Sequence, residues 1–86
     1  MRQTIVASAT YTVSPTDDIL LCSIVTTIIF PIAKNGREIE VVMTGVGDVT
    51  VNLAGTDLIY GETSVLLNVQ GMALHFKAIT GGWILI

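Results

Sequence analysis

Branching at Cβ is the feature that most restricts what this chain can become. Eleven Ile, ten Val and eleven Thr make up 32 of its 86 residues. A second heavy atom on Cβ limits rotamers against the preceding turn of a helix and suits the pleated surface of a sheet. Ala, Glu, Lys, Gln and Leu, which would fill a helix, are scarce by comparison. The chain therefore reads as all-β, one domain over 1–86.

Period-two alternation supports that reading along most of the chain. From Ile5 to Val13 the odd positions are Ile5, Ala7, Ala9, Tyr11 and Val13, and the pattern reads as one strand. Ser14-Pro15-Thr16-Asp17-Asp18 then supplies a turn, where Pro presets φ and short polar side chains bond nearby backbone. Ile19-Leu20-Leu21-Cys22 is a continuous apolar run, expected of a strand covered on both faces. Ile24 to Phe30 makes another strand, stopped at Pro31. Asn35-Gly36 predicts a hairpin into a strand with Ile39, Val41 and Met43 on one face. Val49, Val51 and Leu53 form a further face, then Val65, Leu67 and Val69, then Met72, Leu74, Phe76 and Ala78. Gly81-Gly82 predicts a last hairpin into Trp83-Ile84-Leu85-Ile86. Short strands at roughly ten-residue spacing imply short antiparallel strands in a sandwich, barrel or β-prism. Thr16-Asp17-Asp18-Ile19 echoes Thr56-Asp57-Leu58-Ile59, too briefly to count as a repeat.

Composition sets the second constraint. Hydrophobic residues are 51% of the chain and charged ones 13%, with mean hydropathy +0.74. A chain of this size buries only about 60–65% of its unfolded surface, so eleven charged side chains leave apolar surface to be covered by other chains. Four Lys/Arg against seven Asp/Glu give a net charge of −3, which excludes a basic nucleic-acid binder. High hydrophobicity and low charge also exclude disorder. The charge-free run Ile19–Ala33 falls short of the roughly 20 residues of a spanning helix and contains Pro31, so no membrane span is expected. After Arg2 the sequence alternates instead of forming the apolar block of a signal peptide. Cys22 is alone and reads as a small buried hydrophobe.

The search for chemistry returns little. His75, the one histidine, lies between Leu74 and Phe76 with no triad motif around it, and reads as a surface or subunit-contact residue. Glu38 and Glu40 share a strand face, about 7 Å apart, and read as a solvated or interface face. Asp17, Asp18, Asp48 and Asp57 fall at turns, without the converging oxygens of a calcium or magnesium site. Gly45-Val46-Gly47 precedes a strand pattern, so these are turn glycines and not a phosphate loop. No catalytic residue, cofactor or metal site is expected. Tyr60, Glu62, Lys77 and Trp83, read as turn-edge groups, are the candidates for ligand or interface contacts.

The stretch GDVTVNLAGTDLIYGETSVLLNVQGMALHFKAITGGWILI, from Gly47 to Ile86, resembles a module of tailed-phage virion proteins: tail fibres, head fibres and decoration proteins. The resemblance lies in the alternating Asp48–Leu53 strand, the Gly55–Gly61 piece, the Ser64–Val69 and Met72–Ala78 strands, and the terminal Gly82-Trp83-Ile84. Ala9–Val13 and Asp18–Leu21 fit the way such modules open. The resemblance implies a structural, often homotrimeric, β-rich virion protein, and it transfers no functional residue. A capsid decoration or head-fibre subunit is the expectation, with virion proteins as partners. The alternative is a tail-fibre or tail-tip module that binds a host glycan or receptor. Trimerisation would bury a shared core of Val49, Val51, Leu53, Val65, Leu67, Val69, Leu74, Phe76 and Trp83.

Overall fold

The computed structural model describes residues 3–15, 17–34 and 36–86. Every regular element among them is a strand: β1 (Gln3–Val6), β2 (Thr10–Thr12), β3 (Ile19–Cys22), β4 (Thr26–Ile29), β5 (Glu38–Met43), β6 (Val49–Asn52), β7 (Leu58–Ile59), β8 (Ser64–Leu67), β9 (Ala73–Ile79) and β10 (Gly82–Leu85). They form two sheets, one ordered β1-β3-β5-β9-β10-β7 and the other β2-β4-β6-β8. The all-β class read from β-branched content is the class observed.

Pairing direction in the first half differs from the antiparallel expectation. β1, β3 and β5 pair in parallel, and so do β2, β4 and β6. Successive strands alternate between the sheets, so the chain winds through three stacked coils in a solenoid-like path. A parallel neighbour needs a crossover of about a dozen residues. Here the crossover from β1 to β3 is the rest of one coil, with β2 inside it. The single strand expected over Ile5–Val13 is accordingly broken at Ala7-Ser8-Ala9, where the chain turns from one sheet to the other. Alternation continues through this corner, which is why the sequence reads as unbroken. Gly36 does turn the chain, at φ +87°, but between β4 and β5 of different sheets and not within a hairpin. Its expected companion Asn35 lies outside the described residues.

Antiparallel strands complete the last coil. β8 pairs with β6 and β9 with β5, while β10 returns along β9 and takes β7 as its parallel outer neighbour. The Gly81-Gly82 signal thus corresponds to a real hairpin, with Gly82 as the first residue of β10. A Cβ on Gly82 would lie 1.9 Å from the Leu58 carbonyl oxygen, so the β7–β10 contact needs a glycine there.

The corners stack as closely as the strands. A Cβ on Gly45 would lie 2.1 Å from the Ser23 carbonyl oxygen, and one on Gly47 2.4 Å from the Val25 nitrogen. These glycines let the corner at 44–48 lie directly on the corner at 23–25, a packing role beyond turning the chain. Thr44 secures the same contact, its N–H and Oγ1 both donating to the Cys22 carbonyl at 2.8 and 3.0 Å. Buried Thr26 donates to the carbonyls of Ser8 and Ile24.

The core lies between the sheets, on the inward sides of alternating strands. β5 buries Ile39, Val41 and Met43, β6 buries Val49 and Val51, and β9 buries Phe76 and Ala78. Phe30 links the aromatic centre, with its ring centroid 4.9 Å from both Phe76 and Trp83. The residues expected to form a core shared between subunits are, for the most part, this chain's own core. Val49, Val51, Leu67, Phe76 and Trp83 are buried, with Leu53, Val65 and Leu74 packed against them. Val69 is the exception: β8 ends at Leu67, and Val69 is exposed in the following turn.

Candidate interaction surface

The four candidate contact residues sit near β7, β9 and β10 but do not form one surface. Tyr60 is 69% exposed at φ +50°, in the turn after β7, and its Oη accepts a 3.1 Å bond from the Leu85 N–H. Glu62 is exposed in the same turn, with its backbone bonded to Ile59 in both directions at 2.9 Å. Lys77 lies on the outward side of β9, beside Glu38 on β5 and Ile84 on β10. Trp83 points the other way and is 1% exposed, so it is a core residue and not a ligand platform. Its position next to a hairpin glycine reads from sequence as a turn edge. Only packing against Phe30 places the ring inside.

Two aspartates expected as simple turn residues tie distant segments together. Asp17 is 2% exposed. Its Oδ1 accepts from Thr4 Oγ1 at 2.6 Å, and its Oδ2 from Tyr11 Oη at 2.5 Å and the Ser14 N–H at 2.8 Å. Arg37 Nη2 donates to the carbonyls of Asp17 and Ser14 at 2.7 and 3.1 Å. One turn thus joins β1, β2 and the segment leading to β5. Asp57 is also buried, and its Oδ2 accepts from the Ala33 N–H at 2.7 Å. Both aspartates close the same backbone turn, Asp17 N–H to Ser14 and Asp57 N–H to Ala54, each just before a strand. The brief echo around Asp17 and Asp57 is therefore a recurring structural device.

His75 and Glu38 meet on the outward face of the larger sheet, Nε2 to Oε1 2.9 Å, with both side chains partly exposed. Glu40 stands beside His75 in the strand register. Among the described residues no group of three or more His, Cys, Asp or Glu could hold a metal ion. Cys22 is buried and its thiol is pushed up to about 11 by desolvation, which keeps it protonated and unreactive at neutral pH. An open pocket of about 140 Å³, lined by Val13, Pro15, Pro31, Ile32, Lys34 and Arg37, is small beside the roughly 300–1,000 Å³ of small-molecule sites.

Extended outward surfaces are the more informative feature. Across the larger sheet Ile5, Leu21, Val42 and Ala73 stand in one register row over β1, β3, β5 and β9. Ile5 is 77% exposed and Leu21 and Val42 partly so. The neighbouring row is Gln3, Ile19, Glu40 and His75, so a charged margin flanks the apolar one. On the smaller sheet the rows are Thr10, Thr27, Thr50 and Leu66, then Thr12, Ile29, Asn52 and Ser64, without a charge in either. Sequence alternation identifies outward positions strand by strand. It does not reveal that Ile5, Leu21 and Val42 line up, because that depends on parallel register.

No helix among the described residues is long and apolar enough to cross a membrane. Comparison with family profiles, with curated proteins and with solved structures finds no match to this chain.

Proposed function

We propose that this chain is a structural bacteriophage virion protein, a homotrimeric capsid decoration or head-fibre subunit that works by association and performs no catalysis. The observation that carries the self-association is the register row Ile5–Leu21–Val42–Ala73, an apolar strip across four strands on a chain with few charges to cover it. Burial of such a strip against other copies removes apolar surface from water at about 25 cal/mol per Å². The flanking Glu38, Glu40, His75 and Lys77 would form the polar rim usual around an apolar contact. The virion assignment is supported by the strand-and-turn resemblance of residues 47–86 to tailed-phage modules.

Light scattering behind a sizing column, over a concentration series, tests the association. A mass at or above three 9.2-kDa chains is expected, falling in Val42→Lys while the circular dichroism spectrum is kept. A wild-type monomer at every concentration would overturn the reading. Mass spectrometry of purified particles from the source tests the location.

The exposed Tyr60 ring favours a second reading, a tail-fibre or tail-tip module that stacks a host sugar on that ring with Glu62 beside it. A glycan array signal lost in Tyr60→Ala would support this, and no signal above background would remove it.

A further inference from the structure

Both sheets end in an unprotected strand at the same end of the molecule. β1 is the edge of the larger sheet and β2 the edge of the smaller, and the two are consecutive strands of the first coil. Among the described residues no strand pairs with their outer sides, although Ser8 Oγ donates to the outward Thr10 carbonyl at 3.0 Å. The backbone bonds show which groups are left. The Val6 carbonyl accepts from the Ser23 N–H on the β3 side. Ala9 C=O and Val13 N–H likewise bond Thr27 and Ile29 on the β4 side. Successive residues of a strand point their N–H and C=O to opposite sides, so those of Gln3, Ile5, Thr10 and Thr12 face the open end.

Edges of this kind are usually blunted by charge, proline, a bulge or a covering segment. β1 and β2 read Gln-Thr-Ile-Val and Thr-Tyr-Thr, with neither charge nor proline. The far end of the larger sheet is treated differently. β7 is two residues long, and its Ile59 is occupied by backbone bonds with Glu62, which also brings a charge. At that far end β8, the outer strand of the smaller sheet, also lacks charge and proline, so the first coil is distinguished by offering two such edges together.

Resting on the proposed self-association, we infer that a second copy of this chain docks on the β1/β2 end through edge-to-edge strand pairing. The occupant must offer two strands, each with one open edge, at the separation of the two sheets, and the same end of a second copy offers that pair. A two-fold axis across the end would set β1 antiparallel to its counterpart and β2 antiparallel to its counterpart, continuing both sheets. The apolar row starting at Ile5 would then run on into the partner's row. With its two-fold axis perpendicular to and crossing the three-fold axis of a trimer, such a contact closes a six-chain particle.

The test is the variant pair Gln3→Pro and Thr12→Pro, each of which deletes an outward N–H and leaves the internal ladder bonds in place. Light scattering should give half the wild-type mass for the double variant, with Trp83 fluorescence unchanged. Should the double variant fail to fold, amide exchange of the wild type decides. Ile5, Thr10 and Thr12 should exchange fast at low concentration and become at least tenfold slower as the mass doubles. An associated wild type whose mass is unchanged in the folded variant, or whose edge amides stay fast at all concentrations, overturns the edge contact and leaves the face association standing. A monomeric wild type overturns both.

Discussion

Removal of the Trp83 ring is the most direct test of how this small core is held. The indole is 1% exposed, 4.9 Å from Phe30 by ring centroids, on a strand paired with both β9 and β7. Trp→Ala at such a site costs about 3–5 kcal/mol from lost transfer energy and the cavity left behind. At about 0.05–0.15 kcal/mol per residue, a chain of this length has a total stability of roughly 4–13 kcal/mol. The substitution would therefore remove a large share of it. A domain of this size shifts by about 4–8 °C per kcal/mol, so Tm should fall by roughly 12–40 °C. Among the described residues the buried Trp83 Nε1 has no hydrogen-bond partner, so Trp83→Phe also deletes an unsatisfied donor. That relief, about 1–3 kcal/mol, opposes the smaller cavity, and Trp83→Phe should cost well under half of Trp83→Ala. Thermal and urea unfolding followed by circular dichroism, at one fixed protomer concentration, would measure both. A Trp83→Ala variant within about 1 kcal/mol of wild type would refute the placement of the ring in the core.

Asp17→Ala should destabilise by roughly 2–4 kcal/mol, because it strips acceptors from Thr4, Tyr11 and Ser14. Tyr11→Phe should cost less, and equal effects in urea melts would contradict the cluster. Gly82→Ala should detach β7 through the clash with the Leu58 carbonyl, seen as faster exchange of the Leu58 amide; Gly55→Ala, which meets nothing within 4 Å but sits at φ +58°, should leave that amide unchanged. For Cys22 the folded thiol sits at about 11, above its ordinary value of 9.0, so between those limits the folded state holds more protons than the unfolded one. Stability is then complete below pH 9 and falls as pH rises towards 11, by up to about 1.4 kcal/mol per unit. Cys22→Ala should flatten that decline in pH-dependent melts, and an unchanged slope would assign it to another group.

Much of the local structure was legible before any coordinates. Ile39, Val41 and Met43, or Val49 and Val51, repeat every second residue, and that period alone assigns them to one face of a strand. Pro31 ends the β4 region, and Gly81-Gly82 marks the β9–β10 hairpin, since each depends on nearest-neighbour sterics. The aspartates at 17 and 57 were legible as turn residues, while their burial was not. Their partners Tyr11, Thr4 and Ala33 are brought close by the coil winding and not by adjacency in the chain. Trp83 shows the same limit, since its neighbour Phe30 lies in a different sheet region and far away in sequence.

The sequence by itself determined that this chain makes short strands, where most of them turn, and which side chains of each strand share a face. Those properties follow from Cβ branching, period two and local backbone sterics. Only the tertiary structure decided that the first six strands alternate between two sheets and stack in parallel. Alternation specifies a buried face without specifying the neighbour, its direction or its register. That choice aligned Ile5, Leu21 and Val42, brought Gly45 and Gly47 against the preceding corner, and left β1 and β2 together as an open end. The surfaces through which this protein would meet other chains are thus products of register, a property of strands in contact and of no strand alone.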